Sequence, residues 1–150
     1  MAEQLKEDVK TEVYRNYRFK LDFGGSRNGA FFTSIRTQGV KISTIDYRTG
    51  GGTVYKLPGH HTISPIICEW GVTDNLDMWN WMKSAKDGKP EYKNITITIL
   101  NLDGSETNAP TWNYTGVWPS EWRGAELIAG SNDIAIESMV LQAYDVERAN

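Results

Sequence analysis

The chain has 150 residues and a mass of 16.9 kDa, enough for one domain that buries roughly two thirds of its unfolded surface. Hydrophobic residues make up 39% and charged residues 23%, which fits a folded, soluble protein and excludes a disordered one. A net charge of −3 with a pI near 5.4 argues against specific nucleic-acid binding, which needs clustered Lys and Arg to displace phosphate counterions.

The opening MAEQLKEDVKTEV is polar and no 18-residue apolar run follows it, so neither a secretory signal nor a membrane anchor is expected. Synthesis in the cytoplasm, with release only by a dedicated route or by lysis, is the matching expectation. Residues 1–13 carry no clean period and read as a mobile N-terminal arm on a single domain spanning 1–150. From Val13 apolar residues alternate, with Tyr17, Phe19, Leu21 and Phe23 on one face and Arg18, Lys20 and Asp22 on the other. That is a half-buried strand. Residues 24–29 (GGSRNG) read as a turn, and 30–37 and 40–48 as two further strands. Residues 49–62 (TGGGTVYKLPGHHT) read as a long Gly-rich connection with a Pro-Gly turn near its end. Residues 62–72 are strand-like, with Pro65 marking an edge or a bulge.

One helix interrupts the strands. Asp74 is the expected cap, Asp77 adds negative charge to the first turn, and Lys83 and Lys86 fall in the last turn before Gly88. Leu76, Trp79 and Met82 or Lys83 are expected to share its apolar face. Residues 93–102 then alternate, with Ile95, Ile97 and Ile99 opposite Thr96, Thr98 and Leu100, and Asp103-Gly104 is a turn signal. Residues 112–118 and 134–146 complete the set; the latter is apolar on both faces, which suggests a central strand covered on both sides. A single helix among about seven strands predicts a mainly β fold, a sandwich or barrel with one flanking helix.

The search for chemistry is nearly empty. His60 and His61 are neighbours that point to opposite sides of an extended chain, with no further ligand at metal-binding spacing. Cys68, the sole cysteine, sits in an apolar run and reads as a buried small residue. The Asn94 and Asn113 glycosylation triplets read as chance in a chain without a signal. No nucleophile elbow or phosphate-binding loop is present, so no enzyme activity, metal or cofactor is expected.

The aromatics carry more. Trp79 and Trp81 stand roughly 200° apart on the helix, placing one in the core and the other toward a partner. Trp118-Pro119-Ser120-Glu121-Trp122 reads as a loop whose two Trp serve the core, a subunit interface, or a stacking platform for sugars. With Tyr114, the last of these motivates a carbohydrate-binding β-sandwich as the alternative function.

One order of features decides between these readings. Tyr47-Arg48-Thr49-Gly50-Gly51 leads to Lys56-Leu57-Pro58-Gly59, then to Trp70-Gly71-Val72-Thr73 and the helix with Leu76, Trp79 and Trp81. Asn94-Ile95-Thr96-Ile97, Asp103-Gly104, Trp118-Pro119 with Trp122, and Asn132-Asp133-Ile134-Ala135-Ile136-Glu137 follow. From about Phe19 to Tyr144 this succession resembles the tail-tube protein family of contractile phages and phage-tail-like contractile injection systems.

The resemblance implies a hexameric ring whose strands join into one continuous inner β-barrel, with rings stacking into a hollow tube. It implies a contractile sheath that drives the tube through a target envelope, baseplate and tube-terminating partners, and a luminal cargo of protein effector or DNA. It implies no catalytic residues. By position, Tyr47–Gly59 corresponds to the family's extended hairpin or loop, which implies inter-subunit or inter-ring contacts for Tyr47, Arg48, Gly50, Gly51, Gly52, Leu57, Pro58 and Gly59. The family usually has an acid near Thr49, so a charge contact is missing or replaced there. His60-His61 is not a family feature. The few insertions lean toward an injection system over a phage tail.

Overall fold

A computed structural model describes residues 19–23, 32–72, 76–101, 103–105 and 107–149. The arm expected over 1–13, the start of the first strand, the turn at 24–29 and the Asp74 cap lie outside the described residues. The strands are β1 Phe19–Asp22, β2 Phe32–Arg36, β3 Val40–Arg48, β4 Val54–Ile63, β5 Ile66–Gly71, β6 Lys93–Ile99, β7 Thr111–Arg123, β8 Ile136–Gln142 and β9 Asp145–Arg148, with the helix α1 Asp77–Lys86 between β5 and β6.

The longest strand organises the rest. The first half of β7 pairs with β6 on one side and β9 on the other, and its second half pairs with β8. The order β1-β6-β7-β8-β5-β2 thus bends at β7 and closes as two layers, the way sandwich corners form where one strand serves both sheets. Gly116 (φ +64°) sits at the bend, and a Cβ there would lie 2.5 Å from the Tyr144 ring. Only glycine meets both demands. Buried Pro119, which has no N–H to donate, stands beside a register shift where the ladder is already interrupted.

Period-two alternation builds the core. Ile66, Cys68 and Trp70 of β5, Ile95 and Ile97 of β6, Tyr114 and Val117 of β7, and Met139 and Leu141 of β8 all point inward with Leu21 and Trp81. The helix covers this core with Met78, Trp81 and Met82, so its apolar face is not the expected Leu76, Trp79 and Met82 or Lys83; Leu76 is exposed. The buried Trp81 satisfies its indole by donating to the Glu91 carbonyl at 2.7 Å, takes the Phe23 ring edge-on at 5.5 Å, and lies under the Lys93 ammonium at 5.2 Å. Behind it, Gly88 (φ +83°) donates to the Ala85 carbonyl and ends the helix, with Lys83 and Lys86 in the last turn.

Three segments differ from expectation. Most of 49–62 is strand β4, not a loop, and its Pro58 and Gly59 lie within the strand. Residues 118–122 continue β7. The run 134–146 is central in order, between β7 and β5, but breaks at Ala143-Tyr144 and buries only the Met139 and Leu141 face, leaving Ile134 and Ile136 exposed.

Candidate functional site: an exposed hairpin and its neck

Among the described residues β3 and β4 form a sheet of their own and pack appreciably on no other element. The connection between them is tight. Thr49 N–H donates to Thr53 O at 2.9 Å and Gly52 N–H to Thr49 O at 3.0 Å, with Gly52 at φ +85°. This is the geometry of a three-residue hairpin loop, whose last position requires a left-handed residue; Gly50 and Gly51 fill the remaining places.

The register fixes what each face carries. Ile45 pairs with Leu57 and Tyr47 with Tyr55, giving an apolar face at the outer half. Asp46 pairs with Lys56 and Arg48 with Val54 on the reverse face, where the Lys56 ammonium reaches Asp46 at 3.4 Å. Between Ile42 and Thr44 the register shifts, and β4 uses Gly59-His60 where β3 uses Ser43 alone. Gly59 suits this position because a Cβ would crowd Ser43, lying 2.5 Å from its rotatable Oγ and 3.0 Å from its backbone O. Because apolar positions change parity between Ile42 and Ile45, the apolar surface passes to the other face at the root, as Val40, Ile42 and Ile63. Val40, Ile42, Ile45, Tyr47, Val54, Tyr55 and Leu57 are 43–58% exposed. So much exposed apolar surface on one hairpin marks an interaction site.

The hairpin leaves the sandwich through a narrow neck. Tyr114, buried in the core, donates its hydroxyl to Gln38 Oε1 at 2.9 Å. Ser64 N–H donates to Gly39 O at 2.9 Å, and the Thr37 hydroxyl reaches the carbonyls of Arg36 and Pro65. Thr37 itself adopts φ +64°, a strained conformation for a β-branched residue that persists only where surroundings enforce it. Burial pushes the Tyr114 hydroxyl up to about 12, with a smaller contribution from Cys68, and pushes the Cys68 thiol to about 12. Cys68 is accordingly a fully buried, unreactive thiol, as its apolar run suggested.

All eight residues expected to make inter-subunit contacts, Tyr47, Arg48, Gly50, Gly51, Gly52, Leu57, Pro58 and Gly59, lie on this one hairpin or its tip. The four tryptophans divide. Trp81 is core; Trp79 is half-exposed and packs edge-on against Trp122 at 5.1 Å. Trp118 is half-buried and outside the core cluster. No sugar platform forms, because Tyr114 is buried and Trp122 is covered by Trp79 and the core. His60 and His61 are exposed on β4, and among the described residues no group of three or more His, Cys, Asp or Glu could hold a metal. No helix among them is long and apolar enough to cross a membrane. The sequence reading missed the Tyr114–Gln38 clamp and the apolar partners Ile45 and Tyr55; the parity change between Ile42 and Ile45 was the available signal for the latter.

The profile of the T4-like virus tail tube protein gp19 family matches residues 15–147. The chain belongs to this tail tube family. Among solved structures, a chain of the PVC sheath–tube complex of an extracellular contractile injection system in its extended state is 29% identical. The two align over 95% of each chain with a TM-score of 0.83. A chain of the PVC sheath/tube terminator in its extended state is also 29% identical, over 92% of this chain and 97% of that one, with a TM-score of 0.83. A chain of the anti-feeding prophage tube-terminating cap is 28% identical over 92% and 91%, with a TM-score of 0.82. Comparison with curated protein sequences finds no match. The mainly β tube-protein fold and the tail tube function expected from the order of features are therefore correct, and the carbohydrate-binding alternative is not supported.

Proposed function

We propose that this tail tube protein forms hexameric rings that stack into the inner tube of a contractile injection apparatus, with the β3–β4 hairpin making the contacts between copies. The observation that carries the reading is the hairpin itself. Its outer half exposes Ile45, Tyr47, Tyr55 and Leu57 on one face, a surface that gains stability only when another molecule removes it from water. Closing strands of neighbouring copies into one barrel would also occupy the edges of β1, β2 and β9 that no other described strand pairs, edges of a kind that otherwise invite uncontrolled pairing.

In this reading the chain is structural, with no catalytic step. A sheath surrounds the tube and drives it through a target envelope, a baseplate and a terminating cap bound its ends, and a protein effector or DNA travels in its lumen. The particle is assembled in the cytoplasm and leaves by lysis or by ejection. Similarity to sheath–tube and terminator chains of an injection system supports the sheath and cap as partners.

Light scattering with negative-stain imaging tests this. Concentrated protein should give stacked tubes or a species near 101 kDa, six copies of the 16.9 kDa chain. Ile45→Asp with Leu57→Asp should leave a folded monomer. A wild-type chain that stays monomeric when concentrated and offered its sheath and baseplate proteins would refute the proposal.

A further inference from the structure

A second exposed apolar surface lies away from the hairpin. The segment 124–136 between β7 and β8 leaves Leu127 at 84% and Ile134 at 80% exposure, with Ile128 and Ile136 also exposed. Ser131 N–H donates to the Ile128 carbonyl and Gly130 stands at φ +83°, so the segment doubles back on itself. Val72, exposed at the end of β5, donates its N–H to Ala135 O at 3.0 Å and extends the patch.

The two surfaces carry opposite charge. From Val40 to Ile63 the hairpin holds Lys41, Arg48 and Lys56 against Asp46, a net +2 with its histidines neutral. The whole chain stands at −3, which leaves −5 for the rest. The segment 124–136 contributes Glu126 and Asp133 with no cation, a net −2. Hairpin against hairpin, or segment against segment, would set like charges together around an apolar centre. Hairpin against segment brings a net +2 arm to a net −2 surface and buries apolar surface from both sides, with Arg48 and Lys56 acting from the reverse face of the thin two-stranded arm.

On that basis we infer that the acidic apolar segment 124–136, with Val72, is the receptor for the β3–β4 hairpin of a neighbouring copy. The inference rests on the tube reading and adds to it the receiving surface and a polarity. The contact is head-to-tail, because the alternatives that join like surfaces are repelled. A contact of this kind repeats in one direction and closes into a ring or extends as a stack, which a two-fold contact cannot do.

Site-directed cross-linking tests it, since the only native thiol, Cys68, is fully buried and silent. Leu57→Cys with Leu127→Cys in one chain, treated with a short bismaleimide under assembling conditions, should give a ladder of covalent multimers on a denaturing gel. Each single variant should give monomer. As a second measurement, Arg48→Glu with Lys56→Glu should lower the assembled fraction about tenfold or more, as should Glu126→Lys with Asp133→Lys. The four changes together should restore it.

Cross-linking by Leu57→Cys alone would mean that hairpins meet each other and would overturn the inference. So would assembled rings or tubes that give no ladder and no charge-swap rescue; both results leave the tube reading standing. Failure of the wild-type chain to assemble at all would remove the tube reading and the inference together.

Discussion

Replacing Gly59 with valine separates the stability of the sandwich from that of its hairpin. A Cβ at this position meets Ser43 Oγ at 2.5 Å, Ser43 O at 3.0 Å and Ile45 Cγ1 at 3.3 Å. The hydroxyl can rotate away, but the carbonyl belongs to the backbone of β3 and can yield only if the ladder opens at the register shift. Overpacking of this kind costs about 1–3 kcal/mol. Because β3 and β4 pair with each other and with no other described strand, that cost falls on opening of the hairpin and not on global unfolding. At 1.4 kcal/mol per factor of ten, amide protection in the hairpin should fall roughly 5- to 150-fold. The assay is native-state hydrogen exchange, read beside thermal unfolding by tryptophan fluorescence. All six tryptophans lie outside 40–63, so the fluorescence transition reports the sandwich alone and should stay within about one degree. Assembly should weaken, since the displaced Ile45 belongs to the exposed apolar face. Unchanged protection would show that the clash relaxes at no cost, and a drop of several degrees in Tm would show that the hairpin unfolds with the core; either result refutes the reasoning.

Three further outcomes follow from the same geometry. Gly116→Ala adds both a positive-φ penalty and a contact with the Tyr144 ring, about 2–4 kcal/mol in all, measurable as a shift of the urea midpoint; adding Tyr144→Ala should recover part of it. Trp81→Ala, which empties a fully buried site, should cost about 3–5 kcal/mol, whereas Trp118→Ala, half-buried outside the core, should cost less and show its main effect in sedimentation of assembled particles. For alkaline pH, the folded state holds the Tyr114 hydroxyl up to about 12 while the unfolded chain ionises near 10. The stabilisation is therefore complete below pH 10 and is lost as pH rises toward 12, about 2–3 kcal/mol; Tyr114→Phe should flatten that part of a denaturant-stability profile against pH.

What the sequence made legible was what local chemistry dictates. Ile95 and Ile97 alternate with threonines and are buried, Cys68 lies in an apolar run and is buried, and Lys83, Lys86 and Gly88 mark the end of α1. The misreadings cluster where proline or glycine serves a strand. Pro58 and Gly59 look like a turn because their usual role is to break pairing, yet Gly59 is favoured by the close approach of Ser43, and Pro58 adjoins a register shift. Pro119 misled in the same way, being buried beside a register shift inside β7. The Tyr114–Gln38 clamp joins residues 76 positions apart, and no periodicity encodes a hydrogen bond at that range. The apolar face of the hairpin was hidden for a different reason. Its two halves, Ile45 with Tyr47 and Tyr55 with Leu57, each look like an ordinary half-buried strand until the register shows that no core lies beneath them.

The clamp also decides how the hairpin can work. A two-stranded hairpin alone is marginal in water, and the exposed Asp46–Lys56 pair adds at most about 1 kcal/mol. Order along the arm therefore cannot come from the arm. It is supplied at the root, where breaking the Tyr114–Gln38 bond would leave a buried hydroxyl without a partner at a cost of about 1–3 kcal/mol, and where the strained Thr37 is tied to Pro65 on the returning chain between β4 and β5. The direction in which the hairpin leaves the body is set by the core, while its outer half, held by little more than its own ladder, can adjust to the surface it meets. A fixed root with a yielding end suits the proposed contact between copies, because it aims the arm while letting its apolar face adapt to a partner. By the same reasoning Tyr114, buried in the core, sets the root of an exposed surface that it does not itself line.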